Sequence, residues 1–81
     1  MDLKALFAAV DKKPFQPFKI ELISGRVLDV DHHENVFIMP SRAKVSDIIV
    51  YLPETETERF ALFGPAGLVA VLERKNEASA G

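Results

Sequence analysis

A mainly β domain with a single N-terminal α-helix, folded as a small bent antiparallel sheet or a five- to six-stranded barrel, is predicted by three features of the sequence. Apolar residues recur at helical spacing only near the start, in Leu3, Leu6, Phe7 and Val10. From Phe18 onward the period falls to two, or the apolar residues gather into short continuous runs, as they do in strands. Gly and Pro punctuate these runs at intervals too short for crossover helices.

The four residues Leu3, Leu6, Phe7 and Val10 make one apolar stripe at i, i+3, i+4 and i+7, and Asp2 is placed to cap the first turn. The spacing predicts a helix over 2–11. Lys12 and Lys13 follow, where cations complement the C-terminal dipole, and Pro14 forbids continuation. A helix of about ten residues is marginal alone, so it has to dock on the rest of the chain.

Pro14-Phe15-Gln16-Pro17 is an extended connector, because each proline fixes its own φ and restricts the residue before it. It also spells P-x-x-P. Two phenylalanines interleaved with the prolines read as core anchors, not as a solvated peptide ligand.

Phe18, Ile20 and Leu22 alternate with Lys19 and Glu21, and after Ser24-Gly25 the residues Leu28 and Val30 alternate with Val27 and Asp29. These runs form a hairpin whose loop length follows from the faces. A two-residue loop would set Ile20 opposite Asp29. A three-residue loop, Ile23-Ser24-Gly25 with Gly25 in the left-handed region, pairs Ile20 with Leu28, Phe18 with Val30 and Lys19 with Asp29. The odd loop matches both faces.

Val36 to Met39 ends at Pro40 and Ile48 to Leu52 ends at Pro53, giving strands three and four. Phe60 to Phe63 and Leu68 to Leu72 flank Gly64-Pro65-Ala66-Gly67, giving two last strands across a tight turn. One domain over 1–73 is expected, with strands within 18–73, and the charged and small residues from Arg74 to Gly81 are expected to be a disordered tail.

The bulk composition narrows the function classes. With 81 residues, 48% apolar and 27% charged, the chain supports one core and little more. It has no cysteine, so neither disulfides nor thiolate metal sites contribute, and a reducing, cytoplasmic setting is expected. Asp2 stands where a signal peptide carries positive charge, and no apolar run has the length to span a bilayer, so no membrane association is expected. The net charge of -2 disfavours general nucleic-acid binding, which usually rests on a basic excess.

Pro14-Phe15-Gln16-Pro17-Phe18-Lys19-Ile20, then Gly25-Arg26, then Val30 with His32 and Glu34 resemble a group of small bacterial proteins with PF-x-PF, a G-R turn and a V-x-H-P-E segment. His33 stands where the proline of that segment would be, and the resemblance covers most of 14–39. It implies no activity. A second resemblance is to Sm-like barrels of one helix and five bent strands: Ser24-Gly25-Arg26 is similar to the first turn, Asp31 with Asn35 to the D-x-x-x-N segment, and Phe63-Gly64 to the R-G turn. It implies an SH3/Sm-like barrel and an RNA-binding ring subunit. Phe63 replaces the arginine of the R-G turn, which removes a base-contacting group.

Asp31-His32-His33-Glu34 is the one cluster of metal-capable side chains. Adjacent strand residues point to opposite faces, so His32 and His33 cannot easily share an ion, and the two pairs that can leave a zinc site incomplete. No metal or other cofactor is expected. Ser41-Arg42-Ala43-Lys44 and Glu54-Thr55-Glu56-Thr57-Glu58 read as solvated loop tips, the second without the glycine of a calcium loop. No nucleophile elbow, phosphate loop or paired-carboxylate motif appears, so no catalytic residue is assigned and an enzyme is not expected.

What the patterning does predict is association. Phe60-Ala61-Leu62-Phe63 and Leu68-Val69-Ala70-Val71-Leu72 are apolar on both faces, whereas a half-solvated strand alternates. One short helix cannot cover the last strand together with Ile23, Val27, Ile49 and Tyr51. The expectation is therefore a non-catalytic binding or assembly module, a homo-oligomer joined through Leu68, Val69 and Val71, with an unidentified protein as a further possible partner. The alternative, an RNA-binding ring subunit, would use Arg26, Asn35, Arg42 and Lys44.

Overall fold

The computed structural model describes residues 3–53 and 57–73. Its elements are a helix α1 (Leu3–Asp11), strands β1 (Phe18–Leu22), β2 (Val27–Val30), β3 (Val36–Pro40), β4 (Val45–Tyr51), β5 (Phe60–Phe63) and β6 (Leu68–Glu73), and 3-10 turns at His33–Asn35 and Pro65–Gly67. The strands form two three-stranded antiparallel sheets, ordered β2-β1-β6 and β3-β4-β5. The mainly β fold with one N-terminal helix is as expected, but the sheets do not close into a barrel. The proposed cap Asp2, the acidic residues Glu54 and Glu56, and the tail from Arg74 lie outside the described residues.

The β1–β2 hairpin has the register that the faces require: Phe18 opposite Val30, Lys19 opposite Asp29 and Ile20 opposite Leu28. Leu22 accepts from the Gly25 amide and donates to the Arg26 carbonyl, both at 2.8 Å, closing a three-residue loop. Gly25 has φ 93°, a region that side chains with a Cβ rarely occupy.

The last two strands depart from the expected hairpin. β5 pairs with β4, and β6 pairs with β1 at the other end of the chain, with Phe18 opposite Glu73 and Ile20 opposite Val71. The Gly64–Gly67 segment therefore carries the chain from one sheet to the other. A 3-10 turn there, closed by the Gly67 amide donating to the Gly64 carbonyl at 2.9 Å, changes direction without bringing the flanking strands abreast.

One core joins all layers: Leu6 from α1, Phe18, Ile20, Leu28, Val30 and Leu68 from the first sheet, and Ile48, Val50 and Ala61 from the second. The helix stripe behaves as its spacing requires, with Leu6 fully buried and Leu3 and Val10 packed against the same cluster. Phe18 is buried and Phe15 packs beside it, their rings 5.9 Å apart at 62°, so the proline-flanked phenylalanines are core anchors. Among the described residues no helix is long and apolar enough to cross a membrane.

Candidate functional site

Phe37, Met39, Phe60 and Leu62 form a group of exposed large apolar side chains on the outer face of β3-β4-β5, while Ile23, Val27, Val69 and Leu72 are exposed on or beside the other sheet. Residues directly opposite in an antiparallel ladder share a face. Phe37 faces Ile49 and Ile49 faces Leu62, so these three form one row across all three strands. Tyr51 and Phe60 make the next row, their rings 5.2 Å apart, and Met39 stands opposite Asp47. Leu62 is 67% exposed, Phe60 54%, Met39 47% and Phe37 45%. Asp47 is the one charge among these outer positions. The outer face of the other sheet is mixed: Lys19, Glu21 and Asp29 stand among the exposed Val27 and Leu72.

The cause is local. In β4 the run Ile48-Ile49-Val50-Tyr51 is apolar on both faces. Ile48 and Val50 fill the core, so Ile49 and Tyr51 must point outward. The same parity in β5 buries Ala61 and exposes Phe60 and Leu62.

Of the three residues expected to mediate association, Leu68 is buried in the core, Val71 packs against it, and Val69 alone is open. Helix α1 packs against β6 beside Val71, while Phe37, Phe60 and Leu62 on β3-β4-β5 stay exposed. The sequence marks Ile49 and Tyr51 as hard to cover and the run Phe60 to Phe63 as apolar on both faces, whereas Phe37 has no role there. The signal was present in the continuous apolar runs of β4 and β5.

The four residues considered for RNA sit in separate settings. Arg26 in the β1–β2 turn is ion-paired with Glu58. Arg42 in the β3–β4 turn makes a two-pronged pair with Asp11 at 2.5 and 2.7 Å and lies 5.1 Å above the Phe7 ring. Asn35 is buried, and Lys44 is exposed with its amide turned toward Ser41. Hydrogen bonding from Arg42 holds the Asp11 carboxyl below its ordinary pKa, and Arg26 does the same for Glu58.

His32 precedes the 3-10 turn, while the His33 ring stacks edge-on with Phe15 at 5.9 Å. Among the described residues no three His, Cys, Asp or Glu side chains are grouped to hold a metal. Open cavities among the described residues include two beside α1. One, of about 350 Å³, lies between α1 and β6 over Ala5, Ala8 and Val71; the other, of about 600 Å³, lies at the end of α1 beside Lys13, Phe15 and His33. Neither lining contains a hydroxyl or thiol.

Comparison with protein-family models, with curated proteins and with solved structures finds no match.

Proposed function

We propose that the chain is a non-catalytic assembly module that associates with copies of itself through its β-strands, using the outer face of β3-β4-β5. The observation that carries this reading is the unbroken row Phe37, Ile49 and Leu62, flanked by Phe60, Tyr51 and Met39. Taking about 200 Å² for a fully exposed large side chain, the four most exposed residues present roughly 400 Å² of apolar surface, the size of patch that often marks an interaction site. A face so poor in charge favours burial against another apolar face, and a second copy supplies one.

The RNA reading is weaker. Two of its three cations, Arg26 and Arg42, are already engaged by carboxylates on the chain itself. A phosphate contact would have to displace them.

Light scattering at micromolar concentration tests the proposal. The expected result is a particle heavier than the 9.0 kDa chain, dispersed by Phe37→Lys with an unchanged circular dichroism spectrum. A monomer mass for the wild type overturns it. Submicromolar RNA binding with a steep salt dependence would favour the alternative.

A further inference from the structure

We infer that a second copy of this chain also joins edge to edge at β5, antiparallel and two-fold about Ala61, so that two β3-β4-β5 sheets merge into one six-stranded sheet. This rests on the self-association reading and specifies a contact that the face alone does not provide. Face-to-face packing of the exposed side chains buries only roughly 800 Å² in total, short of the usual 1,600 Å² or so for a stable complex, so a further contact is needed.

The edges of the two sheets differ in how they are guarded. Native edges are commonly blunted by charge, proline, a bulge or a covering element. In the described residues β2 carries Asp29, β6 ends in the charge of Glu73 and meets α1, and β3 ends at Pro40 with a register shift after Met39. Strand β5, Phe-Ala-Leu-Phe, has none of these and pairs on one side only.

The hydrogen-bond alternation fixes what this edge offers. The Leu52 amide donates to the Arg59 carbonyl at 2.6 Å, and Tyr51 stands opposite Phe60. In an antiparallel ladder the groups that point at the partner alternate. Arg59, Ala61 and Phe63 therefore turn their backbone groups toward β4, and Phe60 and Leu62 turn theirs to the open edge.

Only some registers of two such edges keep like faces together. A two-fold between Ala61 and Leu62 would set an inner residue opposite an outer one, which parity forbids. A two-fold at Leu62 sets Phe60 opposite Gly64, whose carbonyl is already bonded to the Gly67 amide. A two-fold at Ala61 sets Phe60 opposite Leu62 twice, pairing every outward group of both residues in four hydrogen bonds. It also places Phe60 against Leu62 of the other copy on the outer face, extending the apolar surface across the joint. The contact is isologous and closes on itself.

The sequence has no cysteine, so introduced thiols report alone. Phe60→Cys and Leu62→Cys are mixed and oxidised, and the products are run on a non-reducing gel. Directly opposed bonded residues lie about 5.5 Å apart at Cα, which suits a disulfide. The expected result is a cross-linked dimer from the mixture and little from either variant alone. Cross-linking of either variant by itself overturns the register, and no cross-link from the mixture, with the wild type oligomeric, overturns the edge contact while leaving self-association intact. A monomeric wild type removes both. Amide exchange on the unmodified chain gives a second readout: protection of Phe60 and Leu62 should rise with protein concentration, with Ala61 and Phe63 protected throughout. Equal, concentration-independent exchange at all four would count against the pairing.

Discussion

Phe37 and Leu62 lie on the two edge strands of one sheet, joined across its outer face by Ile49, which stands opposite both. Their neighbours one step along the chain, Val36 and Ala61, face the core, as does Val50, which stands opposite both in the ladder. A single step along the chain thus separates residues that hold the fold from residues available to a partner.

Leu62→Thr should therefore change the stability of the dissociated chain by no more than about 0.5 kcal/mol. Ile48→Ala, one ladder step away and fully buried, should cost about 2–5 kcal/mol. Urea denaturation at submicromolar concentration separates them, and equal losses would mean that the outer face is covered within one chain.

Gly25→Ala should cost about 1 kcal/mol, and Gly25→Asn less, as read by thermal melting. A Cβ at this position meets no atom within 4 Å, so the cost is that of the backbone at φ 93° alone. A neutral Gly25→Ala would show that the turn can relax to negative φ.

The Asp11–Arg42 and Glu58–Arg26 pairs should make stability mildly acid-sensitive. Both carboxyls are held below their ordinary values when folded, so their contribution is present above the unfolded pKa and is lost as pH falls through the lowered one. Both pairs are exposed, which keeps the effect small. The Tm difference between wild type and an Asp11→Asn, Glu58→Gln double variant should be visible at pH 7, begin to shrink near pH 4 and vanish below the lowered values. A difference independent of pH would mean that the pairs act through packing, as Arg42 does over Phe7.

A chelator should leave the melting temperature unchanged, since among the described residues no three His, Cys, Asp or Glu side chains are grouped to hold an ion. A fall of several degrees would reveal a bound ion coupled to folding.

Much of this fold is legible in the sequence because short-range parity governs it. The β1–β2 register followed from matching Ile20 with Leu28 and Lys19 with Asp29, a choice between two loop lengths. The α1 stripe followed from four residues at helical spacing. Strand partnership beyond the hairpin was not legible: Leu68 to Leu72 is apolar enough to pair with β5 or with β1, and only the turn at Gly64–Gly67 and the room beside β1 decide. Which apolar surface stays open was not legible for the same reason. An apolar run on both faces announces that something covers the strand, without saying whether α1 or another molecule does so.

The pairing of Phe18 with Glu73 also orders the events of folding. Strands β3, β4 and β5 are consecutive, so their contacts close short loops, whereas β1 reaches β6 only after the intervening chain has been gathered up. Contacts so distant in sequence are reached slowly, because loop closure must precede any gain from burial. The β3-β4-β5 meander, like the β1–β2 hairpin, closes through short loops before β6 docks, and it is the part that bears both the bare apolar face and the unguarded edge. Until β6 docks, that adhesive surface stands on an unfinished molecule, and refolding yield should fall as protein concentration rises.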